Sequence, residues 1–185
     1  MLPLSADGVR YGLVVRVYDD GVAVRYVLPE NARRIERELT AWNVPRSVKK
    51  VAWAGYDIGY EKEAYVTRMD EMPENEYVCG PLTVELPEGY MTFTEADCED
   101  FPDMAFSRSG NGFKSCFPAS EKGWDIKRLP DESEKVLAGK YKGKDVSPWR
   151  CAIIASDLTG LVNSDLLTNL CPSPEEGRDF SWVKP

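Results

Sequence analysis

The chain has 185 residues, of which 43% are hydrophobic and 11% aromatic, so it can build a core and is not disordered as a whole. Its formal net charge of −8 argues against non-specific nucleic-acid binding and against docking on anionic lipid. The chain has no histidine, which removes the Ser-His-Asp triad, Cys-His pairs and the usual zinc sites and leaves carboxylate, tyrosine or lysine side chains for acid–base chemistry.

The first predicted element is a β-hairpin near the start of the chain. Two alternating, β-branched runs, residues 11–18 and 22–28, flank Asp19-Asp20-Gly21. An Asp-Gly pair between two such runs is a strong hairpin signal.

The next segment, residues 31–41, is ambiguous. Its composition favours a helix, but Ile35, Leu39 and Ala41 also alternate with polar residues as they would along a strand. The residues alone leave both structures open.

The middle of the chain carries short strands separated by turns. The charges around Pro73 indicate an exposed loop, and residues 107–115 have the composition of a turn. The pattern predicts strands at residues 51–53, 81–86 and 90–96, with a turn at 87–89.

The last third mixes polar and apolar segments. Residues 130–146 are polar and predict long hairpin arms or a surface loop, and residues 151–155 predict a short buried strand. A short helix is expected from Asp165 to Leu170, capped by Asn163 or Ser164 and ended by Pro172. We therefore predict a mainly β fold, typical of a sandwich, with one short helix near the C-terminus.

Acidic residues are concentrated in residues 61–104. This block holds 13 Asp and Glu against two Lys and Arg, a net of −11, whereas the rest of the chain holds 18 acids and 21 bases, a net of +3. Such a block is usually a solvated surface, but it can also supply the oxygen ligands that calcium prefers.

The five cysteines are widely spaced and contain no Cys-x-x-Cys pair, which excludes a zinc knuckle and a thioredoxin-like motif. We predict that they are buried small hydrophobic residues. No apolar run approaches the roughly 20 residues of a membrane span, and no signal peptide is visible at the start of the chain.

Several short segments, taken together and in order, resemble the N-terminal domain of glycoside hydrolase family 97, which includes α-glucosidases and α-galactosidases. Each motif is short, and the specific feature is their fixed order along most of the chain. The matching segments are residues 20–26, Glu38-Leu39-Thr40, Tyr60-Glu61 with Tyr65, Pro81-Leu82, Thr94-Glu95-Ala96, and residues 101–104, 148–150, 161–172 and 181–185.

The resemblance implies a large β-sandwich, a super-sandwich akin to galactose mutarotase, and favours strand for residues 31–41. Residues 1–172 would form part of that sandwich, and 173–185 a linker toward a catalytic (β/α)₈ barrel. It also implies that the front of the sandwich and the whole barrel are absent from the chain. The paired carboxylates that hydrolyse the glycosidic bond lie on that barrel in the family, so no catalytic residue is expected here.

The resemblance further implies a calcium ligand. Inverting members of the family use a calcium ion near the sugar, with one glutamate contributed by the N-terminal domain. The motif match places this ligand at Glu95, with Glu61 as the second choice. The alternative is that Glu95 is a solvated acid at the end of a strand.

Several other residues allow both a functional and a structural interpretation. Arg150 could pair with an acid at the barrel interface or cap the edge of the sandwich. The acidic turn formed by Asp97, Glu99, Asp100 and Asp103 is predicted to be a hydrated loop rather than a second metal site. A larger aromatic set could stack on sugars, but each member is expected to be core: Trp53, Tyr56, Tyr60, Tyr65 and Trp149.

Three functions remain open from sequence. The first is a non-catalytic domain of an α-glucosidase or α-galactosidase, which would shape the active-site wall, supply the calcium ligand, face its own catalytic barrel and meet an α-linked oligosaccharide. The second is a free-standing carbohydrate-binding sandwich, and the third is an interaction domain without a ligand. The resemblance implies a periplasmic or extracellular location.

Overall fold

A computed structural model describes residues 1–29, 32, 34–57, 59, 61–98, 101–125, 146–173, 179 and 181–182. The strands are β1 Leu2–Ala6, β2 Val9–Tyr18, β3 Gly21–Val27, β4 Arg34–Ile35, β5 Ala41–Asn43, β6 Lys50–Gly55, β7 Ala64–Thr67, β8 Val78–Leu86, β9 Gly89–Ala96, β10 Ala105–Arg108, β11 Gly112–Cys116, β12 Trp124–Asp125 and β13 Trp149–Ala155. Two short helices follow, α1 Leu158–Val162 and α2 Leu166–Leu170, and a 3-10 turn spans Pro118–Ser120.

Most of the strands form one curled antiparallel sheet. Its order is β1-β2-β3-β13-β9-β8-β10-β11-β5, with β6 and β7 added beside β8, whereas β4 and β12 form a separate pair. Strand β13 is inserted between β3 and β9, which come from far earlier in the chain. The prediction of a mainly β fold is confirmed.

The first hairpin forms where the sequence predicts it. Strands β2 and β3 pair up to Tyr18 opposite Gly21, with Asp19 and Asp20 as the turn. A Cβ atom at Gly21 would lie 2.4 Å from the carbonyl oxygen of Ala152, so the close approach of β13 requires a glycine there. The predicted turn at 87–89 likewise joins β8 to β9.

Two local predictions need correction. Residues 31–41 are not a helix: in the part described, only Arg34–Ile35 and Ala41 are strand, and residues 36–40 are irregular, so the strand prediction holds only at the ends. Residues 107–115 are not one turn, because β10 and β11 occupy most of them and the turn itself is at 109–111. Phe106 and Phe113 are both buried, and that burial fixes the two strands.

The helix predicted at Asp165 to Leu170 is present as α2, and α1 before it was missed. The side chain of Asp157 accepts a hydrogen bond from the backbone N–H of Gly160 at 2.8 Å, which caps α1.

None of the described helices is long and apolar enough to cross a membrane. The predicted loop at 130–146, apart from Val146, and most of the predicted linker at 173–185 lie outside the described residues.

The two faces of the sheet carry different cores. Along β13, Ala152 packs with Phe93, Leu82 and Phe113 on one face. Alternate β13 residues, Trp149, Cys151 and Ile153, pack on the other face against Leu166 and Leu170 of α2. This alternation is the period of two expected for a strand buried on both faces. It directs Arg150 to the first face, together with Ala152.

Candidate buried carboxylate–arginine site

A fully buried arginine lies at the start of the central strand β13. The side chain of Arg150 is 0% exposed. Its Nε and Nη2 atoms donate hydrogen bonds to the two carboxylate oxygens of Glu38, each at 2.7 Å. Its Nη1 atom donates to Oε2 of Glu95 at 2.5 Å. One guanidinium therefore joins two carboxylates, and the forked contact with Glu38 is the stronger geometry of the two.

Strand register brings these residues together. Arg150 lies directly opposite Glu95 in the β13–β9 pair, so the two side chains share one face of the sheet. Glu38 lies in the irregular segment before β5. That segment is tied to β11 because the backbone N–H and the hydroxyl of Ser115 both donate to the carbonyl oxygen of Thr40, at 2.9 and 3.1 Å.

Glu38 is held by further hydrogen bonds. The hydroxyl of Thr40 donates to Oε1 of Glu38 at 2.6 Å, and the hydroxyl of Tyr26 lies 3.0 Å from that of Thr40. The side chain of Glu38 is only 6% exposed. In the sequence, Glu38 stands out only as part of the motif Glu38-Leu39-Thr40. The signal for it was Arg150, because an arginine inside an apolar strand needs a counter-ion.

Glu95 is less completely enclosed than Glu38. Its Oε1 accepts a hydrogen bond from the backbone N–H of Met104 at 3.1 Å, and its side chain is 17% exposed. It lines a cavity of about 60 Å³ together with Gly80, Thr94, Met104 and Phe106. Because a carboxylate oxygen has two lone pairs, each oxygen of Glu95 can accept one more electropositive partner.

The charges of this site are set by burial and by its own members. Burial raises the pKa of Glu95, while Arg150 and the N–H of Met104 act to lower it and Asp103 acts to raise it. Burial acts to lower the pKa of Arg150, but Glu38 and Glu95 reverse this and leave it raised. The guanidinium therefore stays charged, and the three groups carry a net charge of −1 when both carboxylates are ionised.

A nearby cysteine thiol does not add to this charge. Burial raises the pKa of the Cys151 thiol to about 12, so it remains protonated at neutral pH. The prediction of buried cysteines holds for Cys79 and Cys151, but Cys98 and Cys171 are exposed. All five cysteines are free thiols.

The two predicted metal ligands occupy different places. Glu95 belongs to the buried site, so the alternative of a solvated strand-end acid does not hold. Glu61 is exposed between β6 and β7 and makes no ion pair within the described part of the chain. In that same part, no group of three or more acidic or cysteine side chains is arranged to hold a metal. A cation at Glu95 would therefore take most of its ligands from elsewhere.

The acidic turn is only partly a hydrated loop. The side chain of Asp97 is 4% exposed and pairs with Arg25 at 3.3 Å, which corrects the prediction for this residue. Asp103 is exposed, as predicted. Glu99 and Asp100 lie outside the described residues.

The aromatic residues divide between core and surface. Trp149 is fully buried beneath the guanidinium groups of Arg16 and Arg25, at 4.9 and 4.3 Å from its ring centre, so the core interpretation is confirmed for it. Trp53 is half-buried and packs on Tyr65, which is 47% exposed, with ring centres 5.0 Å apart. Tyr56 is half-buried, and Tyr60 lies outside the described residues.

Comparison with known proteins gives consistent matches. The sequence model of the family described as glycosyl-hydrolase 97 N-terminal matches residues 2–172. A probable retaining alpha-galactosidase of Streptomyces bingchenggensis (strain BCW-1) is 30% identical over 179 residues, covering 96% of this chain and 25% of that protein.

Solved structures agree with this match. A glycoside hydrolase family 97 enzyme from Pseudoalteromonas sp. strain K8, in complex with acarbose, has a TM-score of 0.74 and 25% identity, over 99% of this chain and 27% of that one. A beta-arabinopyranosidase shares the fold at 17% identity, with a TM-score of 0.67 over 94% of this chain and 30% of that one. The chain thus spans about a quarter of the length of the family relatives it matches.

Proposed function

Because the chain belongs to the glycosyl-hydrolase 97 N-terminal family, we propose that it is the non-catalytic N-terminal domain of an α-glycosidase of the α-glucosidase or α-galactosidase class. In the complete protein it would line one wall of the active site and contribute Glu95 to a calcium site. The α-linked oligosaccharide substrate would meet that wall, and the hydrolytic carboxylates would come from a catalytic barrel domain.

The observation that supports this proposal most is the environment of Glu95. Its carboxylate is largely removed from water, is oriented by Arg150 and by the N–H of Met104, and lines a small cavity while each oxygen can still accept one more partner. Calcium takes six to eight oxygen ligands and readily uses a carboxylate of this kind. When bound, calcium would position and polarise the groups that hydrolyse the substrate.

The residues around Glu95 would position this calcium ligand rather than contact the substrate. Arg150 and Met104 fix the direction of the Glu95 carboxylate, and Phe106 with Met104 limits the access of water to it. A ligand held in one orientation before the metal arrives loses little entropy on binding. The remaining ligands would come from the catalytic domain, so the calcium site would lie between the two domains.

The matched relatives support the substrate class. One is described as a probable retaining alpha-galactosidase, and the other is a family 97 enzyme solved with acarbose. For the complete protein we therefore propose an α-linked sugar as substrate. We propose no choice between galactose and glucose, since that choice would depend on residues of the catalytic domain.

The first experiment compares this chain alone with the complete gene product that carries it. Both are assayed on p-nitrophenyl α-galactoside and p-nitrophenyl α-glucoside. We expect turnover of at least one substrate by the complete protein and none by the chain alone. Turnover by the purified chain would contradict the assignment of catalysis to another domain.

The second experiment tests Glu95 by calcium titration calorimetry on the complete gene product. Glu95→Gln removes the anionic ligand and should weaken calcium binding at least a hundredfold. Glu88→Gln is the matched control, since it makes the same charge change on an exposed residue in the turn before β9, at the opposite end of that strand from Glu95. Unchanged calcium affinity in the Glu95 variant would end this part of the proposal.

A second candidate function, a carbohydrate-binding surface, rests on one specific observation. Tyr65 is 47% exposed and packs at 5.0 Å on Trp53, beside a cavity of about 380 Å³ that Trp53 and Lys62 help to line. Exposed aromatic rings are suited to packing against the apolar faces of sugars. Affinity electrophoresis of the chain on starch-like glucans tests this, and retardation that disappears in Tyr65→Ala would favour it.

A further inference from the structure

We propose that Glu38 is a positioning residue for the calcium site, because it occupies the fork of Arg150 and leaves Glu95 only a single hydrogen bond and a shared part of that arginine's charge. This inference rests on the proposed role of Glu95 as a calcium ligand. It assigns to Glu38 and Arg150 a joint task that neither residue could perform alone.

The sharing of Arg150 between the two carboxylates is unequal. Glu38 receives two hydrogen bonds, from Nε and Nη2, and matches the planar fork of the guanidinium. Glu95 receives a single hydrogen bond, from Nη1. A forked carboxylate contact is both stronger and more directional than a single one. The arginine is therefore oriented by Glu38, and Glu95 is oriented in turn by the arginine.

The summed charge of Arg150, Glu38 and Glu95 determines how strongly the site attracts a cation. A lone Arg150–Glu95 pair would be neutral, and an incoming cation would compete with the guanidinium for the same carboxylate. With Glu38 present and both carboxylates ionised, the three groups carry a net charge of −1, which attracts a cation to Glu95. Charges interact strongly at short distances when they are shielded from water. The side chains of Arg150 and Glu38 are shielded in this way, since they are only 0% and 6% exposed.

Glu38 cannot easily leave the arginine. Its Oε1 also accepts from the hydroxyl of Thr40, and the Thr40 backbone is tied to Ser115 of β11. The ring of Phe117 lies 5.6 Å from the guanidinium carbon of Arg150. These contacts fix the arginine in place, so that a metal-induced shift of Glu95 would not draw Arg150 along with it.

Calcium titration calorimetry on the complete gene product tests this inference. Glu38→Gln leaves one acceptor for Arg150 but removes the charge, and we expect calcium affinity to fall about tenfold or more, in the range caused by changes to the partners of metal ligands. Glu88→Gln, with the same loss of one negative charge, should leave the affinity unchanged. Glu38→Asp keeps the charge and should retain most of the affinity.

Arg150→Lys provides a second test that does not depend on the stability of Glu38→Gln. Lysine keeps the positive charge but has no fork, so it is free to pair with Glu95, and calcium affinity should again fall about tenfold. Melting temperatures of all variants are measured in parallel, because a purely structural role would lower them and leave the calcium affinity of the folded protein unchanged.

The outcomes separate this inference from the proposed function. Suppose that Glu95→Gln loses calcium binding while Glu38→Gln and Arg150→Lys both keep the wild-type calcium affinity. This result would overturn the role of Glu38 and leave the role of Glu95 intact. Natural affinity in Glu95→Gln would overturn both. Weakened binding in Glu38→Gln that Glu38→Asp restores supports the inference.

Discussion

The two ends of strand β13 differ in what surrounds them. At its start, Arg150 is buried among charges and hydrogen-bonded to two carboxylates. Further along, Ala152 and Ile153 are buried among apolar side chains on opposite faces, and Ile154 is 45% exposed. The same strand thus passes within a few residues from an ionic environment to an apolar one.

This difference separates stability from function. Burying apolar surface stabilises a fold by about 25 cal/mol per Å², which accounts for the apolar part of β13 without further explanation. A buried ion pair gains little over an apolar replacement of the same size, because desolvation offsets the attraction. The charged end is therefore the part of the strand that stability alone does not explain.

The largest expected effect comes from removing the cation at the charged end. Arg150→Met leaves the buried carboxylates of Glu38 and Glu95 without a counter-ion and should destabilise the protein by about 3–5 kcal/mol. Urea unfolding followed by circular dichroism measures this. The triple variant with Glu38→Gln and Glu95→Gln should recover part of the loss. If it were no more stable than Arg150→Met, the loss would be one of packing rather than of charge.

At the apolar end the corresponding test is Phe93→Ala. Phe93 lies opposite Ala152, is 2% exposed and packs at 5.8 Å from the rings of both Trp42 and Phe113. Its truncation should reduce the free energy of unfolding by about 3 kcal/mol through lost burial and a residual cavity. The calcium affinity that we propose for the complete protein should stay unchanged in this variant, in contrast to the variants at the charged end.

The sequence could predict the local parts of this comparison but not the contacts between distant parts. The first hairpin follows from Asp-Gly between alternating runs, which is information held within a few residues. The insertion of β13 between β3 and β9 depends on packing of the whole chain. For the same reason, nothing local pairs Arg150 with Glu38, which is 112 positions away.

The wrong predictions also have a physical origin. Residues 107–115 were interpreted from their Ser, Gly and Asn content, yet burial of Phe106 and Phe113 outweighs those weak local preferences. In residues 31–41, helix propensity is overruled because Glu38 turns inward to a buried partner. The resemblance to a known family singled out Glu95 as a candidate, and the structure adds that Arg150 joins it to Glu38.

A smaller effect is expected where the hairpin meets β13. Gly21→Ala places a Cβ atom 2.4 Å from the carbonyl oxygen of Ala152 and 3.1 Å from the Cα atom of Ile153, and backbone atoms cannot move aside freely. We expect a loss of about 1–3 kcal/mol, typical of overpacking. Thermal unfolding measures it, with Gly8→Ala as a contrasting variant, since a Cβ at Gly8 meets no atom within 4 Å and only its φ of +79° opposes the change.

The smallest expected effect lies at the exposed end of β13. Ile154→Thr keeps a β-branched side chain at a position that is 45% exposed, so the free energy of unfolding should change by no more than about 0.5 kcal/mol. Urea unfolding of the chain alone and of the complete gene product measures this in two contexts. A larger loss in the complete protein alone would mean that another part of the protein covers Ile154 there. The apolar end of β13 would then be an interface as well, and the contrast with Arg150 would hold only within this chain.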